Sequence, residues 1–225
     1  MTAPTQLPLE FDHRSALGAT DFLVADSNRD AVEWIDRWPD WPGPALAVHG
    51  PAGCGKSHLA AVFSEKCGAR PADIGAIVAP GPGLEGIWLI DGMRICLATH
   101  SEETVLHFFN AVVESGGSML LIEREAPSRW AVSLPDLRSR LNAVSAVEIL
   151  PPDDSLLAAV LVKLLADRQL RVSTAVIDYV LLRMERSFAA CGALVEQLDR
   201  LALAERREIT VPLARRVLDE NLDGG

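Results

Sequence analysis

No segment of the chain narrows its fold as far as HGPAGCGKSHL, residues 49–59. It contains Gly50-x4-Gly55-Lys56-Ser57, directly after the apolar run ALAVH and directly before a stretch with helical periodicity. A strand that enters a glycine-rich turn and leaves it as a helix is the setting in which this pattern grips phosphate. Gly50, Gly53 and Gly55 let the backbone curl until its N–H groups face inward, and the positive end of the following helix adds its partial charge. Lys56 is then a point charge for the outer phosphates of a bound ADP or ATP, and the Ser57 hydroxyl is a ligand for Mg2+. His49 and His58 flank the loop as packing or hydrogen-bonding residues, with His58 on the nucleotide side, and Cys54 is a small filler.

A phosphate loop of this type calls for a second strand that ends in a carboxylate to hold the metal, and IWLID supplies Asp91 after four apolar residues. The next residue is Gly92, where a self-sufficient ATPase carries a second carboxylate to orient the attacking water. Nucleotide binding with weak or no intrinsic hydrolysis is the expectation. Glu102 and Glu103 lie too far along to take that role from sequence alone.

Short apolar runs alternate with amphipathic stretches from Asp21 to Pro151, the habit of a parallel sheet covered by helices. Strands are expected at Ala45–His49, Ile74–Val78, Ile87–Ile90, Met119–Ile122 and Ala146–Ile149. Helices are expected at Asn28–Trp38, Lys56–Cys67, Glu103–Glu114 and Asp136–Leu141. After Pro151-Pro152 only helical periodicity remains, which predicts a small bundle over Asp153–Arg168, Thr174–Met184, Ser187–Arg207 and Val211–Leu222, with Ser173, Ser187 and Thr210 at useful N-cap positions. Residues 1–20 read as an extended arm, residues 21–151 as the α/β nucleotide-binding domain and residues 152–225 as a helical domain.

The formal charge of −10 over 225 residues, with no cluster of Lys or Arg, argues against strong direct binding to nucleic acid, whose grip depends on cations displacing counterions. Cys54, Cys67, Cys96 and Cys191 are scattered without a CxxC pair or nearby His, and no charged-then-apolar leader opens the chain, so a reduced cytoplasm without structural zinc is expected. Apolar stretches are broken by charge well before the roughly 20 residues that cross a bilayer. Trp34, Trp38, Trp41, Trp88 and Trp130 are not interleaved with basic residues, which favours packing over base stacking.

GPAGCGKSHL, LLIEREAPSRW, LPDLRSRL and EQLDRLALAERREITVPLARRVL together resemble the Hda family, the DnaA-homologous regulatory inactivators of the replication initiator, over most of residues 6–222. The resemblance implies an AAA+ fold: a P-loop parallel sheet sandwiched by helices, followed by a small all-α lid. It identifies TDFLVADSNRDAV as the entry motif, with Phe22 and Val24 beside the adenine and Asn28 opening the first helix. QLPLEF resembles the hexapeptide that docks on the bacterial sliding clamp, the β subunit of the polymerase, which makes Gln6, Leu7, Leu9 and Phe11 clamp-binding residues and links the protein to the nucleoid through the clamp. In LPDLRSRL the resemblance makes Arg140 the arginine finger acting in trans, and Arg138 the weaker candidate, against the plain alternative of a surface ion pair with Asp136. DnaA is the implied partner, the DNA-reading domain of DnaA has no counterpart, and a homodimer is compatible with the resemblance. The lid sensor position carries Ala189, with Arg186 nearby, and the strand-end sensor position falls near Glu123 and Arg124, so ATP-driven switching does not follow from it. A DnaA-like helicase loader and a self-sufficient P-loop ATPase or kinase are the alternatives.

Overall fold

The computed structural model describes residues 22–76, 83–205 and 207–223. The chain divides into two compact units between Leu150 and Pro151.

In the first unit five strands form one parallel sheet: β1 (Ala45–His49), β2 (Arg70–Pro71), β3 (Gly86–Asp91), β4 (Gly117–Glu123) and β5 (Ser145–Glu148), in the order β2-β3-β4-β1-β5. The central strands are apolar on both faces because both faces are covered. On one face Leu46, Val48, Leu120 and Ile122 pack with Val32 and Ile35 of α1 (Arg29–Asp36) and with Leu59 and Phe63 of α2 (Lys56–Cys67). On the other, Ala45, Ala47, Met119 and Leu121 meet Met93 of α3 (Met93–Thr99), Phe108 and Val112 of α4 (Glu102–Glu114) and Leu137 of α5 (Pro135–Asn142). The period-2 alternation of strand side chains thus feeds two separate cores. Trp38 meets Phe63 edge-on at 6.0 Å and Trp41 stacks on it at 5.9 Å, while Trp88 lies edge-on to Phe108.

The strand expected at Ile74–Val78 is a correction: the edge strand is Arg70–Pro71, and residues 74–76 form a turn closed by Ala76 N–H donating to Asp73. Ile74 is apolar because its side chain is buried in the core beside Trp88, not because it lies in the sheet. An edge position tolerates Pro71, which has no ladder donor. Arg70 there stacks over Trp88 at 4.2 Å and donates to the carbonyls of Gly83 and Glu85. Helix α3, immediately after Asp91, was also not foreseen.

The second unit packs α6 (Asp154–Asp167), α7 (Thr174–Leu181), α8 (Phe188–Glu205) and α9 (Val211–Asp223) around Leu157, Leu161, Val180, Leu194 and Leu213. Asp153 caps α6 by accepting from Leu156 N–H at 2.7 Å, and the buried Ser187 accepts from Ala190 N–H at 3.1 Å at the start of α8. Ser173 occupies the N-cap of α7 without a side-chain capping bond. Among the described residues no helix is long and apolar enough to cross a membrane.

Candidate functional site

β1 ends at His49, and the chain turns at once into the phosphate loop. Gly50 has φ +151°, and a Cβ there would lie 2.2 Å from the Ile149 carbonyl oxygen, so the loop approaches the exit of β5 more closely than any side chain allows. Gly53 and Gly55 adopt left-handed φ of 71° and 100°, which curls the loop into the start of α2. Lys56 is only 9% exposed. Its Nζ donates to the carbonyls of Gly50 at 2.8 Å and Pro51 at 2.7 Å, with Cys54 Sγ at 3.7 Å. No carboxylate pairs with it among the described residues, so the cation is held by loop carbonyls and the Cys54 sulfur. A buried ammonium without a counter-charge is matched to an anionic ligand, and a nucleotide's phosphates fit it.

Ser57 and His58 follow on the exposed side of α2. Phe22 reaches the same place, its ring 5.5 Å from that of His58, and Phe22 and Val24 pack partly buried on the α1 and α2 core. The entry segment is fixed by Asn28, 3% exposed, whose Oδ1 accepts from Ala25 N–H while its Nδ2 donates to the Leu23 carbonyl. Leu150 N–H donates to Ser27 at 2.9 Å, one residue from the Ile149 carbonyl that abuts Gly50. Loop and entry segment are therefore referred to the same two residues after β5. Phe22, Val24, Gly50, Gly53, Gly55, Lys56, Ser57 and His58 come together in this way. Gln6, Leu7, Leu9 and Phe11 lie outside the described residues.

Asp91 closes β3 in register with Ile122, which is itself opposite Val48 of β1. Two strand spacings, about 10 Å, separate its backbone from the strand that enters the loop. Its side chain is exposed and has no partner among the described residues. Gly92 follows at φ +94° and opens α3.

Glu123, at the expected strand-end sensor position, is buried and committed elsewhere: one carboxylate oxygen accepts from Arg94 N–H at 2.6 Å, the other from Arg124 N–H at 2.7 Å. It ties the first turn of α3 to the end of β4. The imidazole of His49 is held below its ordinary pKa chiefly by burial, with the charges of Lys56 and Arg129 acting in the same direction and Glu148 opposing them. Arg129, in the 3-10 turn Pro127–Arg129, was not singled out in the sequence, yet its charge is felt at the base of the phosphate loop.

Arg140 is exposed in the last turn of α5, anchored by buried Leu137 and Leu141, and its guanidinium makes no ion pair among the described residues, with Asp136 included. The start of α5 is fixed by Glu102, whose carboxylate accepts from Ser133 N–H at 2.8 Å and from Leu134 N–H. These amides, with the charge of Arg138 a smaller contribution, hold the Glu102 carboxyl below the usual range. In the second unit Arg186 pairs with Asp154 at 2.9 Å, and Ala189 is exposed at the start of α8.

Residues 154–218 match the family model described as Hda, lid domain. An uncharacterized protein of Haemophilus influenzae is 24% identical over 215 residues, covering 90% of each chain. Domain III of the Thermotoga maritima replication initiation protein DnaA superposes with a TM-score of 0.75 at 18% identity, over 88% of this chain and 94% of that one. AMPPCP-bound DnaA from Aquifex aeolicus gives 0.66 at 18% identity, over 95% and 71%, and a Thermotoga maritima RuvB variant gives 0.65 at 13%, over 86% and 67%. Residues 154–218 thus match a Hda-type lid, and the chain has the fold of DnaA domain III, with the phosphate loop in the parallel-sheet unit.

Proposed function

We propose that this protein is a cytoplasmic regulator of replication initiation that binds ADP or ATP with Mg2+, docks on the DNA-loaded sliding clamp through Gln6, Leu7, Leu9 and Phe11, and stimulates ATP hydrolysis by DnaA. The observation that carries the reading is Arg140, an exposed guanidinium without an ion-pair partner among the described residues, on a helix held at its first turn by Glu102 and along its length by Leu137 and Leu141. A cation on so fixed a support loses little conformational freedom when it enters a neighbour's nucleotide site, where it offsets the charge that develops on the transferring phosphoryl group.

The roles of the chain's own residues follow. The loop amides and Lys56 hold the phosphates, Phe22 and Val24 wall the base, and Ser57 and Asp91 hold the metal, which supplies charge neutralisation at the phosphates. Gly92 leaves water activation in this chain's own site weak, so the nucleotide here acts as a structural ligand and hydrolysis occurs on the partner. The matches to DnaA structures, one of them AMPPCP-bound, support the adenine-nucleotide part of the reading. The test follows phosphate release from ATP-bound DnaA in the presence of clamp, DNA and this protein. Arg140→Ala is expected to bring the rate down to that of DnaA alone, since comparable arginine fingers are worth roughly 10³-fold or more. Equal rates for the two proteins would remove the mechanism.

A further inference from the structure

A cleft of about 570 Å³ lies between α3 and the segment that follows β4, and its wall holds Arg94, Arg124 and Arg129 together with Leu97, Trp130 and Glu125. The three arginines come from three separate places, the first turn of α3, the residue after β4 and the 3-10 turn. All three are exposed, and none makes an ion pair or side-chain hydrogen bond with a described residue. Two carboxylates share the wall. Glu123 spends both oxygens on the main-chain N–H groups of Arg94 and Arg124, and Glu125 is exposed without a salt bridge among the described residues. The apolar part of the wall is fixed: Leu97 and Trp130 pack their inner sides on the core, and the Trp130 indole N–H donates to the Glu125 carbonyl at 2.8 Å.

Three guanidinium groups around a tryptophan are the side chains that carry the most binding energy between proteins, and a carboxylate is the anion whose two oxygens match a guanidinium fork. The same wall disfavours nucleic acid, because a run of phosphates would meet Glu125 and a chain of net −10. A peptide does not share that difficulty, since its own N–H groups are donors that Glu125 can accept. We propose that this cleft docks an acidic segment of a partner protein, with its carboxylates on Arg94, Arg124 and Arg129 and an apolar side chain against Trp130 and Leu97. The 3-10 turn that carries Arg129 packs against α5, so the cleft and Arg140 belong to adjoining elements of one unit. The inference stands on the cleft alone and requires neither a bound nucleotide nor the role proposed for Arg140.

The test is fluorescence anisotropy of the full chain with three labelled probes: a peptide of aspartate and glutamate interspersed with leucine, its analogue with asparagine and glutamine in place of the acids, and a single-stranded oligothymidylate of the same charge as the acidic peptide. The acidic peptide is expected to bind at least about tenfold more tightly than the amide analogue, and less tightly as salt rises. Arg124→Gln and Arg129→Gln each remove one charge-assisted contact and are expected to weaken the acidic peptide about tenfold. Arg200→Gln, a change on the other unit at an arginine already paired with Glu196, is expected to leave it unchanged. Equal binding of the acidic and amide peptides overturns the proposal, as does an affinity for the acidic peptide in the two cleft variants equal to that in Arg200→Gln. Tighter binding of the oligothymidylate, lost in the same cleft variants, overturns it in favour of a nucleic-acid site.

Discussion

Gly50 carries more of the site than its size suggests, because the absence of a Cβ is what lets the Ile149 carbonyl stand against it. Alanine would have to push main chain, not a flexible side-chain end, and would do so at a φ that L residues rarely adopt. Gly50→Ala is therefore expected to cost on the order of 2 kcal/mol or more in stability, read as a lower midpoint in urea unfolding. Nucleotide affinity should fall with it, because Ile149 and Leu150 also position the Ser27 end of the entry segment. A stability within 0.5 kcal/mol of wild type, the ordinary range for an indifferent surface substitution, would show that the loop tolerates a different path. Lys56 completes the residue-scale logic: its ammonium is already desolvated and oriented, so binding phosphate costs it little further order.

Among the elements, α5 owes its placement to Glu102, 32 residues upstream of Leu134. Helix α4 begins with that carboxylate while Ser101 caps it through Thr104 N–H, so the first turn of one helix holds the residues that lead into another. Glu102→Ala should speed hydrogen exchange at the Ser133 and Leu134 amides while leaving those of β4 unchanged; unaltered exchange would assign α5 to its apolar contacts alone. The sign of the pH dependence is fixed by the depressed carboxyl. The tie is complete above the ordinary glutamate pKa of about 4.3 and is lost as pH falls through the lower folded-state value. None of this was legible in the sequence, since the bond joins residues far apart in the chain and uses main-chain donors that no motif marks. Adjacent residues were another matter. The loop, β1, β4 and the four helices after Pro151 show in the sequence because their signals are local: an eight-residue pattern, an unbroken apolar run, a helical period. The edge strand was misplaced because Ile74 has the hydrophobicity of a strand residue and buries it from a turn. Arg129 escaped notice because three arginines at 94, 124 and 129 form a group only once α3 folds back beside β4.

For the whole molecule the balance of charge decides how it can reach DNA. A surface of net −10 gains little from counterion release, so the proposed regulator would need another protein to bring it to the duplex. On the proposed reading the means is residues 6–11, with the Gln6 amide and the apolar Leu9 and Phe11. Such a peptide binds weakly alone, but in the proposed mechanism tethering would turn the encounter of Arg140 with a clamp-associated target into an event at about millimolar effective concentration. A synthetic peptide of residues 1–12 is accordingly expected to compete with other ligands for the purified clamp, and the same peptide with Gln6→Ala and Phe11→Ala is expected to fail. Added in excess to the DnaA reaction, the wild-type peptide should suppress stimulation without touching nucleotide binding, because the proposal gives residues 6–11 and the phosphate loop separate roles. A loader that meets its target without the clamp predicts neither result. If the peptide leaves clamp occupancy unchanged at concentrations that saturate other clamp ligands, the arm is no tether, and recruitment has to be sought on the folded units.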